Sequence, residues 1–129
     1  MVDKKNSITT SIAIICDANE KKGFGHYSRC RALAQPLYTT YGWNVIFVMR
    51  NSSVVESDLK HTPHHFYNRK KEKDILGDHV WYQKVIEDEK ASIVLLDITT
   101  KLPCSFFKNL RKKNIKIVSI DDPTSNRLH

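Results

Sequence analysis

The residues whose types and spacing can do chemistry lie close together near the start of the chain. An apolar run, Ile12-Ala13-Ile14-Ile15-Cys16, ends at Asp17, and Gly23-Phe24-Gly25-His26-Tyr27-Ser28-Arg29-Cys30 follows. A neutral imidazole accepts a proton from water or from a hydroxyl, so a histidine held beside a substrate can act as a general base. A carboxylate next to such a ring orients it and stabilises its protonated form. Asp17 is one candidate for that role. Two later aspartates end apolar runs of their own: Asp97 after Ile93-Val94-Leu95-Leu96, and Asp121-Asp122 after Ile117-Val118-Ser119-Ile120. Asp17 and Asp121 are the expected partners of His26; the sequence does not decide between them. A competing reading makes Asp17 a cap for the loop amides, and His26 a structural histidine.

The two glycines allow a tight turn and a close approach of ligand to backbone. The loop is not a P-loop, since no Gly-Lys-Ser/Thr follows. It is a poor dinucleotide fingerprint, because Ser28 stands where a third glycine belongs. No cofactor is expected. The candidate catalytic residues are His26 and Asp17. The candidate substrate-binding residues are Gly23, Gly25, Arg29, Asp97 and Asp121.

The surrounding pattern says what must position them. Residues 10–16 read as a strand apolar on both faces, as a parallel strand covered by helices must be. A helix follows from Gly25 to Thr40, with Cys30, Leu33, Ala34, Leu37, Tyr38 and Tyr41 as its apolar stripe. Pro36 predicts a kink or an early end, and Gly42 a C-terminal cap. Trp43–Met49 reads as a second strand, Ser53–Leu59 as a short helix, and Phe66-Tyr67 as a short strand before the charged run Arg69–Asp74. A helix from Asp74 to Glu89 would bury Ile75, Val80, Trp81, Val85 and Ile86. Ile93–Leu96, a helix Cys104–Lys113 opened by Pro103, and a strand Ile115–Ile120 complete the series. Strand and helix alternate with no hairpin signal, which calls for a parallel sheet with right-handed crossovers. The fold class is therefore α/β, a Rossmann-like parallel sheet flanked by helices. In such sheets ligands bind beyond the carboxyl ends of the strands, at the helix N-termini, which is where Asp17, His26, Asp97 and Asp121 fall.

The longer string Asp17-x5-Gly23-x-Gly25-His26-x2-Arg29-Cys30-x2-Leu33-Ala34, with the two later strand-Asp landmarks, resembles the N-terminal half of the UDP-sugar hydrolase of pseudaminic acid biosynthesis. It is also similar to the related spore-coat polysaccharide proteins, which share the GT-B glycosyltransferase architecture. The resemblance covers most of the chain, the middle by pattern alone. It implies that His26 activates water, that water attacks the anomeric carbon, and that UDP leaves with inversion; a transferase variant would use the same base on a sugar hydroxyl. Ile15 stands where the family usually has arginine, Lys22 where it has isoleucine, and Thr99 where a helper tyrosine often sits, so the tyrosine's role does not carry over. In GT-B proteins the C-terminal domain holds most of the nucleotide. The resemblance thus implies a UDP-linked sugar as substrate and a further domain or partner chain to hold it. Residues 10–129 are expected to form one incomplete N-terminal half after a polar leader, residues 1–9, and to be inactive alone. A second copy pairing along an exposed sheet edge is a further expected partner. The alternative is a non-catalytic α/β binding or interaction domain whose glycine loop holds an anion.

Composition narrows the classes. The chain has 129 residues, 40% apolar and 27% charged, as in ordinary globular domains. No apolar run reaches the roughly 18 residues of a membrane span, and no secretory segment opens the chain. Three cysteines, far apart and with no metal spacing, fit free thiols in a cytoplasmic protein. His61-Thr62-Pro63-His64-His65 lacks carboxylate or cysteine partners at ligand spacing, so a surface loop is expected and no metal. The net charge is +7. The basic residues are dispersed and not interleaved with aromatics, so attraction to phosphates is favoured over nucleic-acid binding.

Overall fold

The structure, a computed structural model, describes residues 9–17, 25–50, 53–69, 78–98 and 101–120. Five strands form one sheet: β1 Ser11–Cys16, β2 Asn44–Arg50, β3 His65–Arg69, β4 Ile93–Asp97 and β5 Lys116–Ser119. All pairings are parallel, in the order β3-β2-β1-β4-β5. The helices are α1 Gly25–Thr39, α2 Ser53–Leu59, α3 Asp78–Asp88 and α4 Cys104–Lys112. The Rossmann-like α/β expectation is met. In this strand order the chain winds outward from β1 in one direction, then crosses back and winds in the other. The turning point lies between β1 and β4, where a parallel sheet opens its ligand crevice.

The unbroken apolar runs of β1, β2 and β4 are sorted by the two-residue period of a strand. Ala13, Ile15, Ile46, Val48, Val94 and Leu96 face one side and pack with Tyr82, Val85 and Ile86 of α3 and Phe106, Phe107 and Leu110 of α4. Ile12, Ile14, Val45, Phe47 and Met49 face the other and pack with Tyr27, Cys30 and Ala34 of α1 and Val55 and Leu59 of α2.

Several expectations need correction. α1 does not end at Pro36 but runs on to Thr39. The amide of Thr40 then donates to the Pro36 carbonyl, so the missing proline donor costs one bond near an end that frays anyway. Leu33, Tyr38 and Tyr41 are exposed, and Tyr27 joins Cys30 and Ala34 in the core. The stripe is rotated because α1 is tied at its N-terminus to β4. In α3, Val80 is exposed and Tyr82 is buried; residues 74–77 of the expected helix lie outside the described residues. β3 is longer than Phe66-Tyr67. It takes in His65 from the expected loop and Arg69 from the expected charged run, each paired with β2. Gly42 does take a positive φ of 69° after α1, as the cap expectation required. Lys90 and Asn114 adopt the same left-handed conformation. The next amides, of Ala91 and Ile115, return to the Ile86 and Leu110 carbonyls, which closes α3 and α4.

Beside α1, the turn after α2 buries His64, whose ring packs edge-on to Tyr38 and tilted on Phe47. Burial, with the nearby Arg31 charge adding, holds this ring below the usual histidine range. The unfolded chain takes up a proton at about pH 6.5 that the folded ring refuses. The stabilisation is therefore complete above that pH and is lost as pH falls through it. The urea midpoint should decline from about pH 7 to pH 5, and the decline should be shallower in His64→Gln; parallel profiles would mean another group controls it.

Candidate functional site

Asp97 at the end of β4 gathers the first two turns of α1. His26 Nδ1 lies 2.6 Å from Asp97 Oδ1, and Arg29 donates through Nη2 to Oδ1 at 2.7 Å and through Nε to Oδ2 at 3.0 Å. Cys30 Sγ donates to Oδ2 at 3.5 Å. Positions 26, 29 and 30 share one helix face, and the register that pairs Cys16 with Asp97 puts the carboxylate level with that face. Asp97 is 3% exposed. Burial alone would raise its carboxyl, but the hydrogen bonds from Arg29 and His26 override this and hold it below the usual range. An ionised carboxylate has no proton to give, so His26 Nδ1–H is the donor, and in the neutral ring the lone pair is then on Nε2. The His26 side chain is 30% exposed, so the ring is partly open to water. Gly25 beside it has no positive φ, and a Cβ there would meet nothing within 4 Å. Among the described residues, glycine at this position leaves open space next to the ring.

Asp17 was an expected partner of His26, but the carboxylate bonded to the ring is Asp97. Asp17, 2% exposed, is reached by Arg50 Nη2 at 3.3 Å. The same guanidinium donates through Nη1 to Asp78. Arg69, paired with Arg50 across β2 and β3, also reaches Asp78 and lies over the Trp81 ring. The physical reason is register: Asp17 continues β1 toward β2, where Arg50 ends the neighbouring strand, whereas Asp97 stands under α1. The structure thus brings His26, Arg29 and Asp97 together and sets Asp17 in an adjacent ion-pair cluster. Gly23 and Asp121 lie outside the described residues.

Cys30, Arg50, Arg69 and Asp78 were missed as members of this edge. The His-x-x-Arg-Cys spacing carried a usable signal for Cys30, since it puts all three side chains on one helical face. Nothing local marks Arg50, Arg69 or Asp78, whose meeting depends on strand register and on the docking of α3. Among the described residues no group of histidine, cysteine and carboxylate side chains could hold a metal ion, and no helix is long and apolar enough to cross a membrane.

Chemically, the His26–Asp97 pair can take a proton at Nε2 and share the resulting charge with a buried carboxylate. Comparisons with protein-family models, with curated proteins and with solved structures found no match to this chain.

Proposed function

We propose that this domain supplies the proton-accepting half of a nucleotide-sugar hydrolase or glycosyltransferase-like protein, with His26 as general base and Asp97 as the carboxylate that orients it. The observation that carries the reading is the 2.6 Å bond between His26 Nδ1 and Asp97, which leaves Nε2 as the acceptor at the carboxyl edge of a parallel sheet. The resemblance around Gly25-His26 gives the substrate class: a UDP-linked sugar on the way to a nonulosonate of the pseudaminic acid type or a surface polysaccharide. In the hydrolytic version, water forms a bond to the anomeric carbon and its proton passes to Nε2. The bond from that carbon to the diphosphate oxygen breaks, and UDP leaves with the electron pair. Arg29 holds Asp97 in place through both of its oxygens. Holding the diphosphate falls to a further domain or partner chain in this reading, and a second copy docked on an exposed edge of the sheet is the other partner it carries.

A second reading is a binding domain without turnover. One observation favours it: Arg29 already occupies both oxygens of Asp97, as it would in a purely structural clamp between α1 and β4.

The two separate in 18O-labelled water. The chain, expressed with whatever follows residue 129 in its gene, is given a UDP-sugar. Hydrolysis at the anomeric carbon places the label on the released sugar and none on UDP. Binding of the UDP-sugar with no release of UDP would overturn the catalytic reading and leave the second.

A further inference from the structure

A cavity of about 190 Å³ lies between α1 and the turn that follows α2, away from the face of α1 that meets Asp97. It holds roughly six water volumes, the size of a small organic molecule. Its walls are partly aromatic, with Tyr38 edge-on to His64 at 5.7 Å between ring centres. Two of its polar groups are spent locally. Thr39 Oγ1 donates to the Gln35 carbonyl at 2.9 Å, and Thr62 Oγ1 donates to the Leu59 carbonyl at 2.8 Å while accepting the His64 amide. Arg31, Gln35, His61 and His64 supply the remaining polar side chains of the lining.

Two of these carry the argument. His64 is 6% exposed, and its Nδ1 is buried with no hydrogen-bond partner among the described residues. Leaving such a nitrogen unpaired is unfavourable, a cost that a ligand group in the cavity would remove. Arg31 brings a guanidinium with five N–H donors. Its Nε donates to Asp58 at 3.3 Å, a carboxylate that also accepts from Tyr27. The lining is therefore rich in donors, while Asp58, the nearby acceptor, is already engaged. A complementary ligand brings its own acceptor oxygens at one end and a flat apolar body at the other.

We propose that this cavity is a binding site for a small ring-bearing carboxylic acid, with the carboxylate shared between Arg31 and His64 Nδ1 and the ring against Tyr38. The site is independent of the His26–Asp97 pair.

Sodium benzoate is the probe, and benzamide, of the same shape without the charge, is its control. Both are titrated into the isotope-labelled chain by NMR. Benzoate should give saturable shifts centred on Tyr38, His64 and Arg31, with a millimolar dissociation constant of the order expected for so small a ligand. Benzamide should bind about tenfold more weakly, and Arg31→Gln should weaken benzoate by about the same factor, the loss of one charge-assisted bond. Shifts that never saturate, shifts centred on Arg29, or equal binding of benzamide and benzoate would overturn the proposal and leave the cavity to water. The benzamide comparison uses the unaltered chain, so the test stands even if the variant folds poorly.

Discussion

Asp97→Asn is expected to lower turnover by roughly two to four orders of magnitude, the range over which a positioned base acts. The amide keeps the shape of the carboxylate but has one acceptor oxygen. If that oxygen stays where Oδ1 is, it serves His26 Nδ1 and Arg29 Nη2, and the amide nitrogen then meets Arg29 Nε, donor against donor. If the amide flips, Arg29 Nε is satisfied and the amide nitrogen faces His26 Nδ1. The ring must then carry its proton on Nε2 and can no longer accept one. In both arrangements the buried negative charge that would stabilise protonated His26 is gone. The loss should fall on kcat, with KM little changed, because Asp97 touches the base and not the substrate. Turnover within about threefold of the unaltered protein would remove His26 from the role of an oriented base.

Phe47→Ala should cost about 3–5 kcal/mol of stability. Phe47 sits mid-strand in β2, fully buried, with Tyr27 edge-on at 5.7 Å and His64 at 5.8 Å between ring centres. Truncation leaves a ring-sized void that two other rings line, and neither can move in without leaving its own contact. Small domains retain only about 5–15 kcal/mol in all, so the variant would be close to unfolding at room temperature. Val118→Ala is the matched control: Val118 is 50% exposed on the edge strand β5, and its cost should stay within about 0.5 kcal/mol. Urea unfolding followed by circular dichroism measures both; equal midpoints would show that the sheet core is not where the stability resides.

The strands were legible because β1, β2 and β4 are buried on both faces and so read as unbroken apolar runs. The same continuity hid which side chain belongs to which core, since Ile14 and Ile15 look alike in sequence and face opposite helices. Helix stripes were less legible. Leu33 and Val80 have the right spacing to be buried, yet they are exposed, because docking to the sheet rotated the buried face onto Tyr27 in α1 and Tyr82 in α3. Aromatic residues with a polar tip can sit in a core once the hydroxyl finds a partner, as Tyr27 does on Asp58. For the site, the sequence placed His26, Arg29 and Asp97 on one sheet edge but did not pair them. Pairing needs the strand order, and β4 lies next to β1 only because the chain crosses back after β3.

That crossing back has a consequence for how the molecule is made. β1 is flanked by β2 on one side and β4 on the other, so a ribosome must deliver the chain through Asp97 before the innermost strand is paired along both edges. A nascent chain that has emerged only through β3 holds a three-stranded sheet with β1 as a bare, largely apolar edge, the kind of surface that recruits chaperones or other chains. His26 is synthesised 71 residues before the carboxylate that fixes its ring. The partner of the His26 ring and the protection of the central strand therefore arrive together, late in translation.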